Sequence, residues 1–235
     1  MNPLNFVYVC RSGENEELRY SIRSIFKFYP DANIWVVGQK PNWYSGPFIE
    51  VLTDSIDKHQ AVYHNLKTIA HSSELPENII IMNDDFFFIK RLQPIDYYFS
   101  GKLSNKVRAY EILFPESSYT KRLKKCHTYL RNNHIARPLD YELHVPMKVR
   151  RDKLGKAIEH NIPWRSAYGN LFKVRGQEMK DIKVYGKDSN EFNGYDYKAE
   201  AYPFLSTNEE SFDEIKDDYL INKFPNPSPY ESDIL

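Results

Sequence analysis

The stretch Ile79-Ile80-Ile81-Met82-Asn83-Asp84-Asp85-Phe86-Phe87-Phe88 decides the fold of this chain. Its four leading apolar residues, with no polar residue alternating between them, predict a short strand that is buried on both faces. Because a buried carboxylate is costly unless it is paired or binds a metal, we expect Asp84 and Asp85 at the C-terminal end of a central strand, where open α/β sheets bind their ligands. The alternative is a plain turn between two strands, since Asn and Asp favour turns.

Two adjacent carboxylates in such a crevice suit a hard divalent cation. Mg²⁺ and Mn²⁺ prefer oxygen ligands, and Mg²⁺ is commonly held by one or two carboxylates together with substrate phosphates. Asp85, helped by Asp84, is therefore the predicted ligand of Mn²⁺ or Mg²⁺.

The segments before and after this stretch alternate between two periodicities. Composition predicts strands at 6–10, 34–37 and 48–52, and apolar residues at helical spacing predict helices at 14–29 and 57–71, the second with Val62 and Leu66 on its buried side. Ser12 is the expected cap of the first helix. This alternation predicts an α/β fold with a mostly parallel sheet. Later in the chain, helices are expected at 118–130, 150–160 and 212–224.

Charge is balanced over the 235 residues, with 32 basic and 32 acidic side chains, but it is unevenly distributed. Residues 100–176 carry 17 Lys or Arg against 6 Asp or Glu, whereas residues 177–235 carry 6 against 14. The basic run at 121–137 can contact a polyanion such as DNA, although such a run is more often the solvated face of a helix. Overall charge therefore gives no argument for a nucleic-acid or membrane partner.

The chain lacks the marks of a secreted or membrane protein. Cys10 and Cys126 are too few for a disulfide framework or a zinc site. There is no apolar run of membrane-spanning length, and Arg11 interrupts the N-terminal apolar segment that a signal peptide would need. We therefore expect a soluble, cytoplasmic protein.

The turn after the first predicted strand is a candidate site for a nucleotide diphosphate. Arg11, Ser12 and Gly13 lie where a cation and the backbone N–H groups at the start of a helix receive phosphate. Gln39, after the second strand, and Asn65, on the following helix, are the other candidates on this donor side. The chain has no glycine-rich phosphate loop, and an ordinary capped turn with a solvated arginine is the alternative.

A second group of candidates lies in an extended segment at 140–146. His144 is flanked by apolar residues, and imidazole there can serve as a metal ligand or a general base, or can be structural. Asp140 and Glu142, at spacings of four and two from His144, point to the same side of an extended segment and are the alternative base. Arg165 is a candidate phosphate or carboxylate contact, with simple solvation as the alternative.

Four blocks in a fixed order resemble the Stealth-type sugar-phosphate transferases. These are Asn15-Glu16-Glu17-Leu18-Arg19-Tyr20-Ser21-Ile22-Arg23-Ser24-Ile25, then Trp35-Val36-Val37-Gly38-Gln39-Lys40-Pro41-Asn42-Trp43, then Asn83-Asp84-Asp85-Phe86-Phe87, and finally His144-Val145-Pro146 with Arg165. The last block resembles the family's His-x-Pro and its later catalytic Arg. The resemblance covers residues 6–166, and the chain is also similar to small glycosyltransferase-like proteins encoded by bacteriophages, which would place it in the host cytoplasm.

The resemblance implies a GT-A-like fold, which is a mixed sheet flanked by helices, with a divalent metal at the aspartate pair. It also implies a nucleotide-diphospho-sugar donor, with a UDP-sugar favoured, and a role for His144 in the metal shell or as base. We expect residues 1–166 to form the catalytic core, with a nucleotide-binding part at about 1–92 and a basic, acceptor-side part at about 100–166. Residues 167–235 are expected to pack on this core and to end in a proline-rich tail at 225–235, whose segment 225–229 is expected to trail over the surface.

One departure from the family pattern changes the expected reaction. The family's first strand ends in Trp-Val-Asp-Gly, whereas this chain has Val9-Cys10-Arg11-Ser12-Gly13, with no acid. We therefore expect a metal-dependent glycosyltransferase that moves a sugar to an acceptor hydroxyl, with sugar-1-phosphate transfer as the alternative. An alternative of another class is a non-catalytic module that binds DNA or a glycan through its basic middle segment. A modified DNA base, a virion protein and a surface polysaccharide all stay open as acceptors.

Overall fold

The structure is a computed structural model that describes residues 3–11, 13–52, 58–186 and 195–232. Within these residues the chain forms strands that build one large sheet and two small ones. The strands are β1 (Asn5–Cys10), β2 (Asn33–Gly38), β3 (Phe48–Glu50), β4 (Asn78–Asn83), β5 (Phe86–Phe88), β6 (Tyr98–Phe99), β7 (Met147–Arg150), β8 (Gln177–Glu178), β9 (Lys183–Val184) and β10 (Phe204–Thr207).

No helix of the described part combines the length and the apolar character that crossing a bilayer requires.

Helices are present in each of the predicted ranges, although their ends differ from the predicted ones by up to three residues. The helices are α1 (Glu16–Phe28), α2 (Lys58–His71), α3 (Leu103–Leu113), α4 (Ser118–Asn132), α5 (Arg151–Ile158), α6 (Trp164–Leu171), α7 (Glu209–Ile215) and α8 (Ile221–Lys223), with a π-helical turn over Lys216–Leu220 and a 3₁₀ turn over Tyr197–Ala199.

The start of α1 differs from the sequence prediction. Its cap is Asn15, whose side-chain oxygen accepts a hydrogen bond from the Leu18 N–H at 3.1 Å. Ser12, the predicted cap, lies outside the described residues. An Asn at this position performs the same task as a Ser, because its side-chain oxygen satisfies one of the free N–H groups of the first turn.

The large sheet has the strand order β3-β2-β1-β4-β7. The pairs β3–β2, β2–β1 and β1–β4 are parallel, and only β7 runs antiparallel, along the edge of β4. The prediction of a mostly parallel α/β sheet is therefore confirmed. Because β1 and β4 are parallel neighbours, with Val9 opposite Asn83, their carboxyl ends meet at the same edge of the sheet.

Helices cover both faces of this sheet, which explains its continuously apolar strands. On one face, α1 packs with Phe6, Tyr8 and Met82 from the strands. On the other, α2, α4, α5 and α6 pack on Val7 and Ile81. Successive residues of one strand thus enter two different cores.

Both interpretations of the Asp84-Asp85 pair hold. The two residues form a turn, and this turn begins where the central strand β4 ends. After it the chain leaves the large sheet, and β5 joins a second sheet in the order β5-β10-β9. Phe86 and Phe88 enter the core beneath α1, whereas Phe87 stacks on Phe212 with ring centroids 6.4 Å apart. Three consecutive phenylalanines are therefore buried because β5 has a core on each face.

The C-terminal segment is part of this architecture. Strand β10 pairs antiparallel with β5, and β9 pairs parallel with β10. In the proline-rich tail, Tyr230 stacks on Tyr44 and Glu231 binds Arg23 through two hydrogen bonds of 2.8 and 2.6 Å. In the segment 225–229, which was expected to trail over the surface, every residue except Ser228 is exposed. The side chains of Tyr230 and Glu231 then fix the tail to the loop after β2 and to α1. The predicted domain boundaries stay predictions.

Candidate functional site

A cleft of about 530 Å³ opens at the carboxyl ends of β1 and β4. This is the edge at which parallel α/β sheets bind their ligands. We refer to it below as the cleft. The charged and amide side chains that line it are those of Arg11, Glu17, Asn65, Asn83, Asp84, Asp85, Lys183, Asn208, Glu209 and Glu210.

Arg11 leaves the end of β1 and bridges the acidic groups of the cleft. Its guanidinium forms ion pairs with Glu17 at 3.0 Å and with Asp84 at 3.7 Å, and it also donates to Glu209. Each of the three guanidinium nitrogens has a carboxylate partner, and the arginine side chain, 46% exposed, is accessible from the cleft. A cation held in this way by carboxylates is positioned to receive an anionic ligand.

The two aspartates of the turn differ in their contacts. Asp84 accepts a hydrogen bond of 2.8 Å from the Asn15 side chain, and its burial, together with the neighbouring charge of Asp85, raises its pKa. Asp85 accepts a hydrogen bond of 2.8 Å from Lys183 through Oδ2, while its Oδ1 is buried without a hydrogen-bond partner in the described residues. An unsatisfied buried carboxylate oxygen is costly, so this atom favours a bound cation or donor.

Glu17 is a cleft residue that the sequence argument missed. It comes from the first turn of α1 and is 6% exposed. Burial, followed by the charges of Asp84 and Asp85, raises its pKa to about 7. A signal was present in the sequence, since Glu17, Ser21 and Ser24 recur at helical spacing as a polar stripe beside the apolar face of α1, and all three are buried.

Lys183 is the second missed residue. It lies on β9, far along the chain from the acids that it contacts, and it reaches them because β9 joins β10 beside β5. Asn208 and Glu209, at the start of α7, complete the same wall of the cleft. No local pattern around residue 183 predicts this role, because it depends entirely on how the second sheet assembles.

Asn65 lies in the cleft as predicted. It is 2% exposed, its Nδ2 donates to the Cys10 carbonyl at 3.2 Å, and its Oδ1 has no hydrogen-bond partner in the described residues. Gly38 makes this contact possible, because a Cβ there would lie 2.2 Å from the Cys10 oxygen, at a backbone φ of +131°. Of the other predicted donor residues, Gly13 and Gln39 are not among the residues that line the cleft, and Ser12 lies outside the described residues.

The residues of the cleft fit a divalent cation that is completed by substrate phosphates. Asp84 and Asp85 are adjacent carboxylates, and Oδ1 of Asp85 is without a partner in the described residues. Mg²⁺ is commonly bound by one or two carboxylates, with phosphate and water oxygens as its other ligands. However, no group of three or more His, Cys, Asp or Glu in the described residues is arranged to hold a metal by itself, so the predicted grouping of His144 with the aspartate pair is not found there.

His144 instead pairs with Asp181. Its Nδ1 lies 2.7 Å from Oδ2 of Asp181, and its backbone N–H donates to Oδ1 of the same carboxylate at 3.2 Å. Burial acts to raise the pKa of Asp181, but the contacts with His144 outweigh it and hold that pKa below its usual value. The imidazole is 31% exposed and stands edge-on to Phe86, the residue after Asp85.

Arg165 connects this pair with the cleft. It is 6% exposed, it donates to the Val145 carbonyl at 2.7 Å, and its guanidinium lies 5.3 Å from the centre of the Phe86 ring. Burial lowers its pKa to about 10, opposed by the carboxylates of Glu142, Asp85 and Asp181. Its Nη2 has no hydrogen-bond partner in the described residues. Simple solvation of this arginine is therefore the wrong interpretation.

Asp140 and Glu142, the alternative bases, lie in a buried polar cluster rather than in the cleft. Asp140 is 1% exposed, and it accepts a hydrogen bond of 2.5 Å from Ser100 and forms an ion pair of 3.3 Å with Lys106. Glu142 accepts from the Ser166 N–H at 2.7 Å. These contacts fix the extended segment that carries His144 against α3 and α6.

Comparison with known proteins gives partial sequence matches. No protein-family model matches the chain. The N-acetylglucosamine-1-phosphotransferase subunits alpha/beta of Mus musculus and Homo sapiens are 34% and 35% identical to it over 113 residues, covering 41% of this chain and 9% of those proteins. The capsular polysaccharide phosphotransferase of Actinobacillus suis is 31% identical over 102 residues, covering 38% of this chain and 28% of that protein. The chain thus spans less than a third of the length of these relatives, and the predicted resemblance to Stealth-type proteins is confirmed.

The fold also has a counterpart among solved structures. The apo structure of the bifunctional glycosyltransferase WbbM matches with a TM-score of 0.52 and 10% sequence identity, covering 97% of this chain and 50% of that one. At this identity the likeness concerns the fold alone. It confirms the prediction of a GT-A-like α/β architecture.

Proposed function

We propose that this protein transfers a sugar 1-phosphate from a nucleotide-diphospho-sugar to an acceptor hydroxyl. The observation that carries the proposal is the cleft, where buried carboxylates and the cations Arg11 and Lys183 meet at the carboxyl edge of the sheet. The missing acid before Gly13 suggested simple sugar transfer. The similarity to segments of two kinds of phosphotransferase favours sugar-1-phosphate transfer instead.

The cleft suits a diphosphate that is cut between its two phosphorus atoms. In the proposed reaction the acceptor oxygen attacks the β-phosphorus, the bond from that phosphorus to the bridging oxygen breaks, and the nucleoside monophosphate leaves. Arg11 and Lys183 would neutralise the phosphate oxygens, and Asn65 would contact the nucleotide. Asp84 and Asp85 would hold Mn²⁺ or Mg²⁺, which supplies Lewis-acid stabilisation of the charge that develops on the leaving group.

His144 is the proposed base. With Nδ1 engaged by Asp181, its Nε2 is the nitrogen that can accept the proton of the acceptor hydroxyl. Arg165 would then bind an oxygen of the transferred phosphate through its unpartnered Nη2. This assignment accounts for a guanidinium and an imidazole–carboxylate pair that both lie against the ring of Phe86.

Simple sugar transfer is the second candidate. The specific observation in its favour is the stretch from Val9 to Gly13, which has no acid where the first strand of the resembling family ends in Asp-Gly. In that reaction the acceptor attacks the sugar carbon and the nucleoside diphosphate leaves. The two candidates therefore differ in the nucleotide product, whatever the acceptor is.

The nucleotide product gives the test. Purified protein with Mn²⁺ and UDP-N-acetylglucosamine or UDP-glucose is incubated without an acceptor, so that water takes its place, and the nucleotides are separated by anion-exchange chromatography. We expect UMP and sugar 1-phosphate; UDP and free sugar would support simple sugar transfer instead. Asp84→Asn/Asp85→Asn should abolish release, and Asp31→Asn/Asp152→Asn, with two exposed carboxylates outside the cleft, is the matched control. Release of neither nucleotide from these donors, with calorimetric binding of DNA retained in the Asp84→Asn/Asp85→Asn protein, would favour the non-catalytic module.

A further inference from the structure

A second concave site lies outside the cleft, where the start of α3 meets the end of α4. It has a volume of about 310 Å³. We call it the basic pocket and define it by the side chains of Lys102, Ser104, His127, Arg131 and Arg137. None of the described residues that line it is acidic.

Within the part of the chain that the structure describes, the cations of the basic pocket have no carboxylate partners. In the described residues, neither Lys102, Arg131 nor Arg137 forms an ion pair. Helix α4, which carries Arg131 near its end, has the opposite arrangement near its start, where Lys121 pairs with Glu116 at 3.2 Å and Lys124 pairs with Glu111 at 2.8 Å. Lys121 and Lys124 near the start of α4 therefore have carboxylate partners, whereas Arg131 at the pocket has none in the described residues.

The unmatched charges are held close together. Arg131 donates to the Ala136 carbonyl, which fixes its guanidinium at the end of α4. Burial and the charge of Arg131 lower the pKa of His127. Because like charges repel, an anion that enters the pocket would relieve this repulsion as well as form its own contacts.

The start of α3 adds hydrogen-bond donors at the same place. The cap residue Lys102 provides no side-chain hydrogen bond, and the first turn of this 11-residue helix contains no acidic residue. The N–H of Leu103 is used by the Pro138 carbonyl, whereas the N–H of Ser104 has no partner in the described residues. Free N–H groups at a helix start bind phosphate because their dipoles favour negative charge.

The basic pocket adjoins the segment that carries the proposed base. Lys102 pairs with Leu139 in an isolated antiparallel bridge, and Asp140 follows directly. From there the chain continues to His144 through the contacts of Asp140 and Glu142 described above. The pocket is therefore connected through the chain to the segment that carries the proposed base, and none of its defining residues lines the cleft.

We propose that the basic pocket binds a phosphate group carried by the acceptor. The acceptor assignment rests on the proposed function, whereas phosphate binding by the pocket does not. Lys102, Arg131 and Arg137 supply the charge, and the Ser104 N–H supplies a directed hydrogen bond. The volume is at the lower end of ligand-site sizes and admits a phosphate with part of the group to which it is attached.

The test measures binding of inorganic phosphate to the full chain by calorimetry and by the shift of the Ser104 amide signal in NMR spectra. We expect Arg131→Gln/Arg137→Gln to weaken phosphate binding by at least about tenfold. Lys121→Gln/Lys124→Gln is the matched control, since it removes the same number of positive charges at two cations of α4 that have carboxylate partners. Equal phosphate affinity in the two double variants, or an unmoved Ser104 signal in the wild type, would overturn the proposal.

A second experiment distinguishes the phosphate groups of a polymer from free inorganic phosphate. A short oligodeoxynucleotide replaces inorganic phosphate as the probe, at the same ionic strength. Tighter binding than phosphate, lost in Arg131→Gln/Arg137→Gln and kept in the control, supports a polymeric acceptor; binding that does not depend on the pocket variant counts against it. Because neither arm contains a nucleotide-sugar, failure here is distinct from failure to release UMP.

Discussion

The ammonium of Lys183 lies 2.8 Å from Oδ2 of Asp85, the carboxylate proposed to bind the divalent metal. Both side chains are largely buried, at 16% and 12% exposure. A metal ion at Asp85 must therefore tolerate or displace a positive charge that is already there. This contact makes Lys183 a competitor of the metal, and it places the same ammonium where the donor's phosphates would lie.

Lys183→Met should strengthen Mn²⁺ binding and weaken UDP binding. Removing the ammonium lowers the electrostatic cost of placing a divalent cation beside Asp85, and we expect Mn²⁺ affinity to rise by about tenfold. Calorimetric titration of Mn²⁺ and, separately, of UDP measures both effects. Lys180→Met, at an exposed lysine three residues away, is the control. Unchanged affinity for both Mn²⁺ and UDP would show that Lys183 does not contribute to the site.

Glu17 should make the stability of the protein depend on pH. Its pKa is about 7 in the folded protein and near 4.5 in the unfolded chain, because burial and the charges of Asp84 and Asp85 disfavour the carboxylate. The folded state thus binds the proton more tightly, so the favourable contribution is complete below pH 4.5 and is lost as the pH rises to 7. The loss has an upper limit of about 3 kcal/mol.

The comparison of two single variants isolates this effect. Urea unfolding of metal-free protein between pH 5 and 8 should give a shallower decrease in free energy for Glu17→Gln than for the wild type. Glu16→Gln, which changes the half-exposed neighbouring residue, should retain the wild-type slope. The same slope in all three proteins would contradict the assignment of the raised pKa to Glu17.

The large sheet was predicted well because the residues of each strand indicate whether that strand is buried and where it ends. The uninterrupted apolar run before Asn83 indicates burial on both faces, and the acids after it indicate the end of the strand. The helix that follows β3 was less well predicted. Val62 was expected on its buried side, but it is 36% exposed and lines the cleft, because the end of α2 that lies near β1 faces the ligand site rather than the core.

The residues of the candidate site at the carboxyl edge of the large sheet were located from the sequence, whereas the contacts made by later segments were not. Arg11, Asn65 and the aspartate pair lie at strand ends or on a helix next to the sheet, and the periodicity of the sequence gives these positions. The contact of His144 with Asp181 joins residues that are 37 positions apart, and that of Lys183 with Asp85 joins residues that are 98 positions apart. Sequence periodicity carries no information about such pairings.

The C-terminal tail should contribute to stability through Glu231. Its carboxylate is 7% exposed and accepts two hydrogen bonds from Arg23 and one from the Ser228 N–H. Glu231→Ala leaves a largely buried guanidinium without its partner, so we expect the free energy of unfolding to fall by about 2–3 kcal/mol. Glu116→Ala, which removes one partner of an exposed ion pair, should change it by less than about 1 kcal/mol. Equal effects in urea unfolding would mean that the tail does not depend on this contact.

Asp181 should act on the reaction through the tautomer of His144. A carboxylate accepts the hydrogen of Nδ1 and leaves Nε2 free to take a proton, whereas an amide can donate to Nδ1 and favour the opposite tautomer. We therefore expect Asp181→Asn to lower kcat for UMP release by about 100-fold, within the range of general-base effects, with little change in KM for the donor. His144→Gln should cause a loss of similar size, and the double variant no further loss, because the two residues act as one unit. Asp31→Asn serves as the control. Additive losses in the double variant, or full activity in Asp181→Asn, would mean that the 2.7 Å contact fixes the local structure without setting the protonation of the base.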